Sequence, residues 1–259
     1  MTVAPAGRWH ALGVPLDSLT RSEARAWAQQ ALASGAGGWV ATPNPEIVAT
    51  AWRQPALSEA LSRASLVLPD GIGLVWASRI LSGPLTGRIA GIDFLQDCLA
   101  VCARQSWPVF LLGARPGVAA RAAERLRHRY PGLKISGVHH GYFAASQAPS
   151  VMAEIVASAP RFLAVGMGHP RQELWLAANM PALDGVLGLA CGGSLDVLAG
   201  EVRRAPGWVQ RAGLEWLYRI CQAPAARLGR SGALLFFAGR VLSMRLCGKG
   251  SRKSAAKSS

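Results

Sequence analysis

A wholly apolar run in the middle of the chain, Phe162 to Val165, leads into residues that could do chemistry: Gly166-Met167-Gly168-His169-Pro170-Arg171-Gln172-Glu173. Proline is favoured in the first turn of a helix, so the pattern predicts a strand, a turn and a helix that begins near Pro170. Glycines let a ligand approach the backbone closely, and the N–H groups of a helix start favour an anion such as phosphate. Spacing alone leaves two interpretations open: an ordinary bend or an anion-binding site.

Apolar runs typical of buried strands alternate with stretches of helical spacing through the first 200 residues. The strand-like runs are Trp39 to Ala41, Leu66 to Leu68, Val109 to Leu112, Ile135 to Val138, Phe162 to Val165 and Val186 to Ala190. The helical stretches include Gln54 to Ala64, Phe94 to Arg104, Val118 to Arg129 and Ser150 to Ala159. This alternation predicts an α/β fold with a mostly parallel, Rossmann-like sheet and helices on both faces.

Polar clusters follow three of these strand-like runs. They are Thr42-Pro43-Asn44-Pro45, Pro69-Asp70-Gly71 and the turn from Gly166 to Glu173. Ligands of open α/β sheets bind beyond the carboxyl ends of the strands, so the three clusters are expected to converge on one cleft. Within that cleft, the sequence alone favours Asp70 as the N-cap of a following helix.

Positive charge is concentrated at the C-terminal end. Lys and Arg total 28 against 14 Asp and Glu, and residues 201–259 hold nine arginines and three lysines against two glutamates. A basic block of this kind binds polyanions: nucleic acid, an anionic membrane surface or a diphosphate. The shift in composition near Gly200 predicts an α/β catalytic domain over 1–200, a helical appendage over 201–247 and a disordered basic tail over 248–259.

The appendage carries two patterns of helical spacing. The first is Trp208 to Gln222, with Pro224 as its stop, and the second is Leu228 to Leu246. The longest apolar run is broken by Arg240 and is shorter than the ~20 residues that a membrane span needs. We therefore expect the appendage to lie on a membrane and to supply arginines and lipid contact rather than core.

Several common kinds of site are missing from the sequence. Five cysteines without a CxxC pair predict neither disulfides nor zinc and favour a reducing cytoplasm, and the N-terminus has no signal-peptide pattern. There is no Walker A, HExxH or GxSxG motif, and Gly71-Ile72-Gly73 is an incomplete dinucleotide fingerprint. A DxD metal pair is missing too, so we expect arginines, rather than a metal, to neutralise any phosphate.

Eight short motifs complete the pattern. In chain order they are Thr42-Pro43-Asn44-Pro45-Glu46, Pro69-Asp70-Gly71-Ile72-Gly73, Arg88 followed by Gly91, Phe110-Leu111-Leu112-Gly113, Gly141-Tyr142-Phe143, Gly166 to Glu173, Arg204-Ala205-Pro206 with Trp208, and Gly213-Leu214-Glu215-Trp216-Leu217-Tyr218-Arg219. Together they resemble the WecG/TagA/CpsF glycosyltransferases, glycosyltransferase family 26, over about residues 10 to 245.

The resemblance implies an inverting, metal-independent transfer of a sugar from a UDP-sugar to a saccharide carried on a polyprenyl diphosphate, in cell-surface polysaccharide synthesis. The enzyme would work in the cytoplasm, peripherally attached to the inner face of the cell membrane, and would need no cofactor besides its donor. Relatives use N-acetylmannosamine, its uronic acid or glucose, and nothing in this sequence separates these sugars.

The resemblance also implies roles for individual residues. Asp70 matches the proposed general base, which would take the proton of the acceptor hydroxyl. The pocket residues that match are Thr42, Asn44, Arg88 and Gln172, and we add Gly166, Gly168 and Glu173 of the glycine turn as substrate-binding residues. Glu173 is expected to hold Gln172 or Arg171 in place.

Loss of UDP builds negative charge on a diphosphate, which a positive group must stabilise in the absence of a metal. Arg88 and Arg219 are our candidates, since Arg219 matches an appendage arginine that folds over the site in relatives. The chain then departs from the family pattern, and Arg227 and Arg230 are interpreted as substitutes with a one-residue offset. Their alternative is a solvated helix face.

Two other classes of protein are weighed against this interpretation. A soluble nucleotide-dependent α/β enzyme, such as an oxidoreductase, is disfavoured by the incomplete glycine fingerprint. A basic nucleic-acid-binding protein is disfavoured because the arginines of 228–246 stand among Leu and Phe, which suits a lipid interface better. We therefore expect a UDP-sugar, a lipid-linked acceptor and an anionic membrane surface as partners, and no nucleic acid. The sequence leaves a homo-oligomer open.

Overall fold

The structure is a computed structural model that describes residues 8–222 and 231–255. Its strands are β1 (Arg8–Ala11), β2 (Val14–Asp17), β3 (Gly38–Ala41), β4 (Leu66–Val67), β5 (Val109–Gly113), β6 (Ile135–His139), β7 (Phe162–Gly166) and β8 (Leu187–Ala190). Its α-helices are α1 (Arg21–Ser34), α2 (Pro45–Arg53), α3 (Pro55–Ser62), α4 (Ile72–Ile80), α5 (Gly91–Gln105), α6 (Val118–Arg129), α7 (Ala148–Ala157), α8 (Arg171–Asn179), α9 (Ser194–Ala199), α10 (Gly207–Arg211), α11 (Glu215–Gln222) and α12 (Ser231–Ala255).

Six strands form a parallel sheet in the order β4-β3-β8-β7-β5-β6. Successive side chains of a strand point to opposite faces, and β5 shows the consequence clearly. Phe110 and Leu112 pack with the cluster of α2, α3 and α8, whereas Val109 and Leu111 pack with the cluster of α1, α5 and α6. Both faces of the sheet are therefore covered by helices, as the sequence predicted.

The sequence patterns did not reveal the first element of the fold, a hairpin of β1 and β2. Its turn places Leu12 and Gly13 at φ of 49° and 83°, values that match the twist of a tight hairpin. Asp17, at its end, is fully buried and accepts hydrogen bonds from Arg8 Nε at 2.9 Å and from Val67 N at 2.7 Å. A buried carboxylate with two donors thus ties the hairpin to β4.

The prediction of one helix from Trp208 to Gln222 is wrong. Two helices, α10 and α11, are separated at Gly213, which adopts a φ of +73° that favours glycine. A Cβ at this position would lie 3.1 Å from Ile72 of α4, so a larger residue would also crowd α4. The break turns Glu215 back towards the sheet domain.

The last helix differs from its prediction in length and in packing. Residues 223–230 lie outside the described residues, and α12 runs from Ser231 to Ala255, past Leu246 and into the part expected to be disordered. No proline follows Pro224, so no later residue interrupts the hydrogen bonds of the helix in that way. α12 packs against α2 and α4 and buries Phe237 and Val241 in the core, so it contributes core as well as surface.

Gly113 allows the backbones of β5 and β7 to approach each other closely at their carboxyl ends. Its φ is +147°, and a Cβ there would overlap the backbone of Gly166, with 2.7 Å to the Gly166 Cα. We expect Gly113→Ala to lower the free energy of unfolding by about 2 kcal/mol or more, because the overlapping atoms are backbone and cannot turn away. Urea unfolding followed by far-UV circular dichroism measures this.

The matched control is Gly239→Ala on α12. Gly239 is exposed, and an added Cβ would meet no atom within 4 Å. Alanine there should leave the free energy of unfolding unchanged or raise it by up to about 1 kcal/mol. An unchanged midpoint for Gly113→Ala would contradict the prediction.

Candidate active site

A cavity of about 630 Å³ opens beyond the carboxyl ends of the parallel strands. Its wall includes Thr42 after β3, Asp70 after β4, Gly168 after β7 and Gly192 after β8. The prediction that separate polar clusters converge on one cleft is therefore confirmed in its geometry.

Asp70 lies on the cavity wall between α4 and α5. Its Oδ2 accepts a hydrogen bond from Gly91 N, the first residue of α5, at 3.1 Å. The N-cap of α4 is Gly71, so Asp70 does not cap the helix that follows it. The carboxylate satisfies a donor at the start of a different helix, and this contact fixes its position in the cavity.

Thr42 and Asn44 line the neighbouring part of the wall. Thr42 Oγ1 donates to Ala190 O at 3.1 Å, which links the ends of β3 and β8. Asn44 is the N-cap of α2, and its Oδ1 accepts from Ile47 N at 2.9 Å. A Cβ on Gly91 would lie only 2.7 Å from Thr42 Oγ1, so the start of α5 approaches this wall as closely as glycine permits.

Gln172 is buried at the base of the cavity, on the first turn of α8. Its Oε1 accepts from Gly192 N at 3.0 Å, and its Nε2 donates to Glu173 Oε1 at 2.8 Å. Glu173 is 2% exposed and stands behind Gln172, outside the cavity wall formed by the described residues. The expectation that Glu173 holds Gln172 in place agrees with this geometry, whereas direct substrate contact by Glu173 does not.

Gly166 and Gly168 have different environments. Gly166 ends β7, is buried, and a Cβ on it would lie 2.7 Å from Gly192 O, so it serves strand packing and does not reach the described cavity wall. Gly168 is exposed at a φ of +76° and lines the cavity. The prediction of Gly166 as a binding residue is corrected by its burial between strand ends.

His169 and Glu46 were not assigned a role from the sequence, yet both line the cavity. His169 Nε2 lies 3.5 Å from Glu46 Oε1 on the first turn of α2. Arg171, by contrast, turns away and donates to Phe143 O at 3.0 Å. A residue inside an apparent binding motif can thus serve packing, and sequence spacing alone does not reveal this.

Arg88 is the arginine of the described cavity wall. Its guanidinium donates to Gln210 O at 3.1 Å and lies 3.5 Å from Glu215 Oε2. Glu215 is 7% exposed and also lines the cavity. Sequence reasoning found Arg88 but not Glu215, because only the break at Gly213 brings α11 to this wall.

The side chains of the other predicted arginines lie outside what the structure describes. Arg219 lies on α11, and its side chain is outside what the structure describes. Arg227 and Arg230 lie outside the described residues altogether.

One side of the cavity is apolar, which the sequence did not predict. Ile72, Trp76 and Ile80 of α4 lie four residues apart on one helix face, and Phe237 and Val241 of α12 stand on the same wall. Further members of this apolar wall are Ala77, Trp216, Leu234, Ala238 and Leu242. Helices far apart in the sequence build it, so no local pattern could reveal it.

Helix starts face the polar side of the cavity. The first turns of α2, α5 and α8 contribute Pro45, Gly91 and Gln172 to its wall. The positive ends of these helix dipoles and their N–H groups favour an anionic ligand.

Among the described residues, no group of three or more His, Cys, Asp or Glu side chains is arranged to hold a metal ion. No described helix is long and apolar enough to cross a membrane.

A parallel sheet with a cavity beyond the carboxyl ends of its strands is the arrangement in which open α/β proteins bind their ligands. Comparison with known proteins gives the family. The model of the WecG/TagA/CpsF glycosyl transferase family matches residues 9–251, and the chain belongs to this family. The predicted family is thereby confirmed, and the chain is a glycosyltransferase.

Three of the similar proteins carry the same name. An N-acetylglucosaminyldiphosphoundecaprenol N-acetyl-beta-D-mannosaminyltransferase of Bacillus spizizenii is 36% identical over 189 residues, 73% of each chain. The protein of the same name from Staphylococcus aureus is 36% identical over 199 residues, 77% of each chain. That of Bacillus subtilis is 35% identical over 189 residues, again 73% of each.

Because the carboxyl group of Glu173 is buried, we predict that the stability of the fold depends on its protonation. Burial raises its pKa above the ordinary 4.5, against the opposing effect of the hydrogen bond from Gln172. A carboxyl group with a raised pKa stabilises the fold most below its unfolded pKa, and this contribution is lost as the pH rises through its folded pKa. We expect Glu173→Gln, which keeps the shape and removes the charge, to gain stability relative to the wild type as the pH rises above the ordinary pKa of 4.5.

Urea unfolding of both proteins at several pH values checks this. The control Glu124→Gln alters an exposed glutamate of α6, and its stability difference from the wild type should change little with pH. A difference for Glu173→Gln that is equally independent of pH would show that burial does not penalise the charged form.

Proposed function

We propose that this protein transfers a sugar, of the N-acetylmannosamine type or a hexose, from a UDP-sugar to a saccharide linked to a polyprenyl diphosphate. The transfer inverts the sugar's configuration and uses neither a metal nor a cofactor. The observation that carries the proposal is the composition of the cavity: polar groups and helix starts on one side, and the apolar wall of α4 and α12 on the other.

An amphiphilic acceptor matches this division. The names of the similar Bacillus and Staphylococcus proteins specify an acceptor with a sugar, a diphosphate and an undecaprenol chain. A diphosphate suits helix starts and arginines, whereas the first isoprene units suit the face formed by Trp76, Ile80 and Phe237. Transfer of apolar chain from water to this wall stabilises the complex by about 25 cal/mol for each Å² buried.

Asp70 is the proposed general base. An inverting displacement needs a group that takes the acceptor hydroxyl's proton while the nucleotide leaves from the opposite side. The Asp70 carboxylate lies on the cavity wall and is oriented by Gly91 N, so its position is set before a substrate binds. Preorganisation of this kind lowers the cost of reaching the transition state.

The charges of the described wall support a role for the C-terminal arginines. Among its described residues, the carboxylates are Glu46, Asp70 and Glu215, while Arg88 is the arginine. A departing UDP adds negative charge and needs more positive partners than this wall contains. Arg219, Arg227 and Arg230 are the proposed source.

The proposed enzyme works at the inner face of the cell membrane. Large apolar side chains are exposed on α4, α10, α11 and α12, near the apolar wall; they are Trp76, Ile80, Trp208, Trp216, Leu217, Leu235, Leu242, Met244 and Leu246. Arg79 and Arg245 are exposed among them. Aromatic and apolar side chains bind the interface, and each basic residue near an anionic leaflet adds about 1 kcal/mol.

Replacement of Asp70 tests the reaction. In Asp70→Asn the amide oxygen still accepts from Gly91 N, so the fold is kept, but the basic group is lost. We expect turnover to fall by about a hundredfold or more, with UDP affinity changed by less than about twofold. Product mass, with a panel of UDP-sugars and a short-chain lipid-linked acceptor, measures transfer, and calorimetry measures UDP binding.

The matched control is Asp97→Asn, which removes the charge from an ion pair with Arg21 of 2.7 Å that lies outside the described cavity wall. This variant should transfer sugar at the wild-type rate. Near-normal turnover of Asp70→Asn would exclude Asp70 as the base, and a wild type that accepts no UDP-sugar would contradict the proposed function itself.

Replacement of Trp76 tests the apolar wall. The probe is farnesyl diphosphate, a short prenyl diphosphate that can be titrated without a bilayer. We expect Trp76→Ala to weaken its binding by about tenfold, or about 1.4 kcal/mol, since a large aromatic surface is lost. Calorimetry on both proteins gives the two dissociation constants.

Trp208→Ala is the matched control, because Trp208 is 65% exposed, against 54% for Trp76, and does not belong to the described cavity wall. Its affinity for the probe should stay within about twofold of the wild type. Equal losses in the two variants would show general apolar adsorption and would contradict a prenyl site at this wall.

A further inference from the structure

The guanidinium of Arg88 makes its hydrogen bonds to a part of the chain far from Arg88 in sequence. Arg88 precedes α5 in the sheet domain, but its hydrogen-bond acceptors are Gln210 O at 3.1 Å and Glu215 Oε2 at 3.5 Å. Both follow Gly200 in the sequence. The direction of the cavity arginine therefore depends on the segment that contains α10 and α11.

Glu215 stands between two arginines. Its Oε2 faces Arg88, and its Oε1 lies 3.9 Å from Arg204 Nε. Without this carboxylate the two guanidinium groups would share a buried region with like charge. Glu215 thus both attracts Arg88 and screens it from Arg204.

Arg204 is anchored on its other side. It donates to both carboxylate oxygens of Asp93, at 2.6 and 2.8 Å. Burial alone would raise the pKa of Asp93, but the hydrogen bonds and charge of Arg204 outweigh burial and lower it. Because Asp93 belongs to the first turn of α5, the chain of contacts from Asp93 to Arg204, Glu215 and Arg88 is fixed to the sheet domain at its start.

We propose that Glu215 is a positioning residue that orients the guanidinium of Arg88 towards the diphosphate site. A long arginine side chain without a fixed partner samples many rotamers, and a preorganised cation stabilises developing charge without reorganisation during the reaction. The proposal rests on the proposed function only for the identity of the anion that Arg88 meets.

The test uses full-length Glu215→Gln, which keeps the size of the side chain and removes its charge. The control is Glu201→Gln, which breaks the pair between Glu201 and Arg121 of 2.8 Å. That pair also joins the segment after Gly200 to the sheet domain, but it lies outside the described cavity wall. A general tether would make the two variants alike.

The first readout does not depend on catalysis. Phenylglyoxal modifies arginine, and peptide mass spectrometry gives the rate at Arg88. We expect Arg88 to react about fivefold faster or more in Glu215→Gln than in the wild type, and at the wild-type rate in Glu201→Gln, because the paired guanidinium is the less reactive form. Equal rates at Arg88 in all three proteins would overturn the proposal, whatever the reaction is.

The second readout is a double-mutant cycle with Arg88→Gln. We expect Glu215→Gln to lower kcat by about tenfold in the wild-type background, with a smaller change in the KM of the acceptor, and by less than about twofold in Arg88→Gln. Equal losses in both backgrounds would show that Glu215 acts independently of Arg88. If Glu215→Gln does not fold, Glu215→Asp keeps the charge with a shorter reach and should give intermediate values in both readouts.

Discussion

Hydrogen bonds at the starts of helices hold the candidate site together. The first N–H groups of a helix have no acceptor within the helix, so a capping side chain, water or a ligand must supply one. Asp70 supplies it for α5 and Asn44 for α2, and both side chains face the cavity. The need to complete secondary structure therefore places the groups that face the ligand, and the site inherits the rigidity of the sheet.

The same principle extends to the base of the cavity. Gln172 accepts from the backbone after β8 and donates to buried Glu173, so each end of its amide has a protein partner. Glu173 carries a raised pKa because burial disfavours its charge, and its Oε2 makes no hydrogen bond within the described residues. Burial of this carboxyl group costs free energy, but the same group fixes the side chain of Gln172, which reaches the cavity.

The limits of prediction from the sequence follow from the range of the interactions concerned. Apolar runs and helical spacing are local patterns, and they predicted the parallel sheet and the convergence of Thr42, Asp70 and Gly168. They could not separate Gly166, which packs between strand ends, from Gly168, because both look like turn glycines. The contact of Asp17 with β4, the packing of Gly213 against α4 and the approach of Glu215 to Arg88 join distant segments, which no window of sequence contains.

The C-terminal segment is an integral part of the cavity. α12 supplies Phe237 and Val241 to the core, and α11 supplies Glu215 to the arginine of the wall. The polar groups come from the sheet domain, whereas the apolar wall requires α4 and α12 together. A cavity with both characters therefore exists only when the C-terminal helices are packed on the sheet domain. Because the exposed apolar residues continue from that wall onto the surface of α12, contact with an apolar phase and completion of the site involve the same helix.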